Sequence, residues 1–169
     1  MRLVLPLLAL TACSDDPGVT PDADPTDTCL VPGAYGALGT KTGSTHPGGP
    51  NTATIVVNPG PPRDSLFVKL VAGKGVFAAG LATGTFAIAG ADATFNDCGL
   101  CVNLIADIDP HRGPTKFYAA DAGSVTLTAT SPPAGTATDV HLIEVNLATG
   151  QPVTGGCVST ISSLQFSAS

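Results

Sequence analysis

The residues of this chain whose types and spacing could do chemistry gather between positions 96 and 112. "NDCGLCVNLI" holds Cys98 and Cys101 in a C-x-x-C, and "DIDPHR" sets Asp107, Asp109 and His111 at alternate positions. A C-x-x-C can carry a low-pKa thiolate for redox exchange, supply half of a four-thiolate zinc site, or provide the ends of two separate disulfides. Redox use normally relies on a helix amino terminus behind the first cysteine, whose dipole stabilises the thiolate. Here Val102, Leu104, Ala106 and Ile108 alternate with Asn103, Ile105 and Asp107. That pattern is a strand, which supplies almost no net dipole.

Alternate residues of a strand share a face, so Asp107, Asp109 and His111 could hold a divalent cation with a further carboxylate such as Asp92 or Asp97. A solvated strand end and turn has the same composition, because Asp and Pro favour turns. The three histidines, His46, His111 and His141, are isolated, and neither H-E-x-x-H nor G-x-S-x-G occurs. The common hydrolase signatures are therefore missing. No cofactor is expected beyond that divalent cation. Tyr35, Phe67, Phe117 and Tyr118 are too scattered to define a carbohydrate platform and read as core or rim residues.

The elements that must position these groups begin after a leader. In "MRLVLPLLALTACSDD" a basic Arg2 precedes an apolar run from Leu3 to Leu10, and small residues lead to Cys13. This is the layout of a secretory signal, and the run is far shorter than the roughly 20 residues that span a bilayer. Leu10-Thr11-Ala12-Cys13 resembles the lipobox of bacterial lipoproteins. The resemblance implies diacylglycerol transfer to the Cys13 thiol, cleavage before it, and acylation of the new amino terminus. Ser14, where inner-membrane lipoproteins usually carry Asp, implies by the same resemblance the outer membrane, with the domain facing the periplasm or the surface.

Residues 14 to 28 contain five Asp, three Pro and no basic residue. Such a segment cannot bury apolar surface and reads as an extended spacer. The expected organisation is a signal peptide over 1–12, a lipidated Cys13 with its spacer over 13–28, and one domain over 29–169. The whole chain carries a formal charge of −6, but from Cys29 onward six basic residues face eight acidic ones, leaving −2. No basic patch points to nucleic acid.

In the domain the hydrophobic period is two. "SVTLTAT" (124 to 130) alternates Val125, Leu127 and Ala129 with hydroxyl residues. Further strands are predicted over 52–57, 65–71, 84–89, 100–108, 116–120, 139–147 and 157–166, separated by Gly and Pro turns. In the 139–147 segment His141, Ile143, Val145 and Leu147 form the drier face and Glu144 faces water. "TKTGSTHPGGPNT" (40 to 52) has no periodicity and is expected to be an exposed loop. The expectation is an all-β domain, an antiparallel β-sandwich of about seven or eight strands, with a small β-barrel as the alternative.

Four cysteines remain in the domain: Cys29, Cys98, Cys101 and Cys157. Real four-thiolate zinc sites usually have two close pairs, whereas Cys29 and Cys157 stand alone, and an exported chain meets an oxidising compartment. Two structural disulfides are therefore expected. Four cysteines allow three connectivities, and on a near-extended segment Cys98 and Cys101 would stand about 10 Å apart, beyond a bridge. The pairing Cys101 with Cys157 and Cys29 with Cys98 is adopted.

The lipobox, the spacer, "CGLCVNLIADID", "FYAADAGSVTLTA" and "GGCVSTI" together resemble the cysteine-containing, β-rich lipoproteins abundant in myxobacteria and related predatory bacteria. That resemblance implies fold and location and assigns no catalytic residue. The leading functional expectation is a non-enzymatic structural, adhesion or binding role, attached to the membrane through a lipid and meeting a protein or glycan partner. The alternative is a cation-dependent binding protein or hydrolase of the envelope that uses Asp107, Asp109 and His111.

Overall fold

The computed structural model describes residues 29–60, 62–108, 111 and 113–169. Cys13, the spacer and Asp109 lie outside the described residues. The strands are β1 (Gly36–Gly43), β2 (Thr52–Asn58), β3 (Arg63–Leu70), β4 (Gly84–Ala87), β5 (Leu100–Ile108), β6 (Lys116–Thr130), β7 (Pro133–Asn146), β8 (Gln151–Pro152) and β9 (Val158–Ala168). Two short 3-10 turns, Gly75–Phe77 and Gly90–Ala93, lie on either side of β4. Among the described residues no helix is long and apolar enough to cross a membrane.

The strands form one sheet in the order β1-β9-β7-β6-β5-β3-β2, with β4 added to β6 and β8 to β7. Its two ends meet where Ser44 and Thr54 exchange backbone hydrogen bonds of 3.0 and 2.8 Å. The sheet thus curls into a nearly closed barrel, which removes most of the exposed edge of an open sheet. The fold is all-β as expected, and of the two arrangements it takes the barrel form.

Period-two alternation makes the wall. On β2, Ala53, Ile55 and Val57 are buried while Thr54 and Val56 face outward, and on β3 Leu66, Val68 and Leu70 point in. Leu104, Tyr118, Leu127, Leu142, Ile161 and Leu164 fill the interior from the other strands. The segments predicted at 116–120 and 124–130 are one strand, β6, whose pairing with β7 bulges on either side of Ala122. A bulge accommodates an extra residue without ending the strand. On β7 the core side carries Val140 and Leu142, so His141 and Ile143 take the outer side, opposite to the expectation, while Val145 is buried as expected.

The disulfide pairing corrects the expectation. Cys29 bonds Cys157 and Cys98 bonds Cys101, with Cα separations of 5.4 and 5.2 Å. The argument from extended spacing fails because β5 begins only at Leu100, after a turn over 95–97 and a bend at Gly99. Gly99 lets the Lys74 backbone pack against that bend: a Cβ there would stand 2.0 Å from the Lys74 carbonyl oxygen.

The pairing of Cys29 with Cys157 also explains why the sheet is mixed. Cys157 immediately precedes β9, and the bridge brings the chain before β1 to the same end of the barrel. The Ser159 hydroxyl donates to the Pro32 carbonyl at 2.7 Å, and the Tyr35 N–H donates to the Thr160 carbonyl at 2.8 Å. Starting from one end, β1 must run alongside β9 in the same direction, and the two are parallel. Inside the barrel the buried Tyr118 hydroxyl donates to the Cys29 carbonyl, tying the bridge to the core.

Candidate functional site

The predicted cation cluster is the natural starting point. Asp107 ends the extended part of β5 with φ 48°, so the alternation that would align Asp107 with Asp109 and His111 does not continue past it. The Asp107 N–H donates to Asp64 Oδ1 at 2.9 Å, and His111 is exposed. Asp109 lies outside the described residues. Among the described residues no group of three His, Cys, Asp or Glu side chains is placed to hold a metal ion.

Asp92, a possible fourth ligand, is already engaged. It is buried, and its Oδ1 accepts the Gly99 and Leu100 N–H groups at 2.7 Å each while Oδ2 accepts Val76 N–H at 2.9 Å. It therefore ties a 3-10 turn to the start of β5, beside the Cys98–Cys101 bridge. Such concentrated acceptance leaves it little capacity for an ion.

Two side-chain pairs decorate the β6 and β7 wall. Lys116 Nζ lies 3.0 Å from Glu144 Oε2, and the same oxygen accepts the Cys157 N–H at 3.0 Å. Glu144, expected to face water, is therefore largely covered. Burial raises its carboxyl pKa, but the Cys157 N–H and the Lys116 ammonium outweigh that effect and hold it below the ordinary 4.5. His141 Nδ1 lies 2.5 Å from Asp121 Oδ1, with both side chains about a third exposed, at 39% and 34%. Thr160 is the cross-strand neighbour of His141 on β9.

The site with the most usable chemistry is a groove on the outer face of β2 and β3. Its floor consists of the cross-strand pairs Thr54 with Phe67 and Val56 with Ser65, closed at one end by Arg63 opposite Ile108. The loop from Ser44 to Pro47 forms the facing wall, and together they enclose about 370 Å³, within the range of small-ligand sites. The loop is held in shape by the Ser44 hydroxyl donating to the His46 carbonyl at 2.9 Å and Gly49 N–H to the Thr45 carbonyl at 2.8 Å. A Thr45 N–H bond to the Ser169 carbonyl fastens it to the carboxyl end of the chain.

Two polar groups in this groove are not used by the fold. Among the described residues nothing gives the Arg63 guanidinium a hydrogen bond or an ion pair. Thr54 Oγ1 is buried and has no hydrogen-bond partner among the described residues. Buried hydroxyls without partners are uncommon, and each calls for an explanation. Ser65, although on the outer face of β3, is only 2% exposed, whereas its cross-strand partner Val56 is 36% exposed, so the floor is covered on the Ser65 side and open on the Val56 side.

A second cavity of about 500 Å³ lies on the other side of the same loop, against the turn at Ser131 and Pro132. It holds no charged side chain other than His46 when protonated, and the Ser131 hydroxyl already donates to the Pro50 carbonyl at 3.3 Å. Its chemistry is correspondingly poor.

Of the groove residues, the sequence singles out Phe67 as a scattered aromatic, His46 as an isolated histidine in an exposed loop, and Ile108 as part of a strand pattern, none of them as a binding residue. Arg63 and Thr54 belong to no motif. The signal that could have found them is the alternation of β2 and β3, which puts both on the outer face. No family model matches the chain, and no curated protein or solved structure shows significant similarity to it.

Proposed function

We propose that this chain is a non-enzymatic binding protein of the cell envelope, lipidated at Cys13, held off the outer membrane by the 14–28 spacer, and receiving a small ligand in the β2–β3 groove. The observation that carries the binding role is the groove itself, where a guanidinium and a buried hydroxyl are left unused beside an aromatic floor. Elsewhere in the described wall, carboxylates serve structure: Asp64 and Asp92 accept backbone N–H groups, and Glu144 pairs with Lys116. The anchor is supported by the lipobox resemblance at Cys13.

Two measurements test this reading. A thermal-shift screen of sugars and small organic acids against the full chain should find a compound that stabilises it and fails to stabilise Phe67→Ala. A screen in which nothing distinguishes the two proteins would remove the binding role. For the anchor, the Cys13→Ser chain should leave the membrane fraction and lose the acyl mass of its amino-terminal peptide. An unshifted peptide mass would remove the anchor.

A further inference from the structure

We infer that the groove ligand is an acidic sugar, a uronic acid residue whose carboxylate lies on Arg63 and whose ring lies along Phe67. The inference rests on the binding role proposed above and names its ligand class. Arg63 presents five N–H donors in a planar fork, which matches a carboxylate in two parallel hydrogen bonds. It is free to do so because the adjacent Asp64 is turned to the interior, where it accepts from the Tyr35 hydroxyl at 2.7 Å and from Asp107 N–H at 2.9 Å.

The charge of the site selects among anions. Arg63 is the single permanent cation among the lining residues, with His46 the only other group able to carry a positive charge. One guanidinium balances a monoanion. A phosphate dianion would bring a second negative charge for which the groove offers no second permanent cation.

The floor selects the body attached to that anion. Phe67, Val56, Ile108 and Pro47 offer apolar contact, but Ser44, Thr54 and Ser65 hydroxyls are interleaved with them. A purely aliphatic acid would leave the buried Thr54 hydroxyl unsatisfied. A pyranose ring has an apolar C–H face for the Phe67 ring and hydroxyls at its rim that can bond Thr54 Oγ1. A volume of about 370 Å³ admits one such residue, and the opening to solvent leaves room for its continuation in a polymer.

The test is a ligand-observed and protein-observed NMR titration of the full chain with D-galacturonate, D-galactose, hexanoate and inorganic phosphate. Galacturonate should shift the amide signals of Thr54 and Phe67, bind at least tenfold more tightly than galactose, hexanoate or phosphate, and lose at least tenfold in Arg63→Gln. Thr54→Val should weaken it as well, while the melting temperature of both variants stays near that of the parent chain. Galactose binding as tightly as galacturonate at Phe67 would overturn the carboxylate while leaving the binding role intact. Hexanoate or phosphate binding as tightly would overturn the sugar. Shifts at Thr54 and Phe67 that appear with none of the four compounds would overturn the inference.

Discussion

Arg63 and Asp64 are neighbours in sequence and lie on opposite sides of the barrel wall: the carboxylate is fully buried against Tyr35 and the Asp107 backbone, and the guanidinium stands in the outer groove. Two opposite charges one residue apart on a strand cannot pair, because successive side chains point to opposite faces. The division has a direct consequence. Asp64→Ala leaves two donors in a dry site without their acceptor and should cost roughly 2–5 kcal/mol in denaturant unfolding, whereas Arg63→Gln should change stability by less than about 0.5 kcal/mol. Equal losses in the two variants would mean that Arg63 is also part of the fold.

Asp92 concentrates three backbone N–H groups on one side chain. Asp92→Asn keeps the oxygen that accepts Gly99 and Leu100 but turns an N–H2 group toward Val76 N–H, which sets donor against donor. The expected loss is about 1–3 kcal/mol, and Asp92→Ala should lose more. Hydrogen exchange should quicken at Val76, Gly99 and Leu100 in both. Protection unchanged at those amides would show that the carboxylate is dispensable.

The two disulfides differ in the length of chain they close. The Cys29–Cys157 bridge has a sequence separation of 128 and Cys98–Cys101 a separation of 3. Chain entropy assigns about 5 kcal/mol to the first and about 2 kcal/mol to the second. Replacing Cys29 and Cys157 by Ser should also release β1, read as faster amide exchange over residues 36–43 while β5 and β6 stay protected. A chain in which the short bridge matters more would contradict the entropic account.

Gly99 lies under the Lys74 carbonyl, so Gly99→Ala forces backbone against a new methyl group. The bend between the two cysteines should open, with a loss of about 1–3 kcal/mol, the scale of overpacking. Peptide mass mapping of the oxidised variant should show more free thiol at Cys98 and Cys101 than in the parent chain. Full bridge formation and unchanged stability would show that the Lys74 segment yields.

Acid should weaken the β6–β7 wall through Glu144. Its folded pKa lies below the ordinary 4.5, so the stability it contributes is fully present above that value and is lost as pH falls through the folded pKa. Melting temperatures measured downward from pH 6 should fall more steeply below pH 4.5 in the parent chain than in Glu144→Gln. Parallel curves would mean that Lys116 and the Cys157 N–H do not favour the ionised form.

Alternation of apolar and polar residues was enough to identify β2, β5 and β9, because each has one face in the core and the hydrophobic effect acts on that face alone. It could not identify β1, where Gly39 with φ 63° interrupts the pattern and where pairing depends on a distant cysteine. Local composition likewise indicated that four cysteines would be bridged, since Cys29 and Cys157 stand alone and four-thiolate sites usually have two close pairs. The choice of partners needed the bend at Gly99 and the shared end of β1 and β9, which are properties of backbone packed against backbone. The groove follows the same division: strand periodicity put Thr54, Arg63 and Phe67 on an outer face, and only the curl of the sheet, with the Ser44–Thr54 closure folding the loop over them, made that face concave.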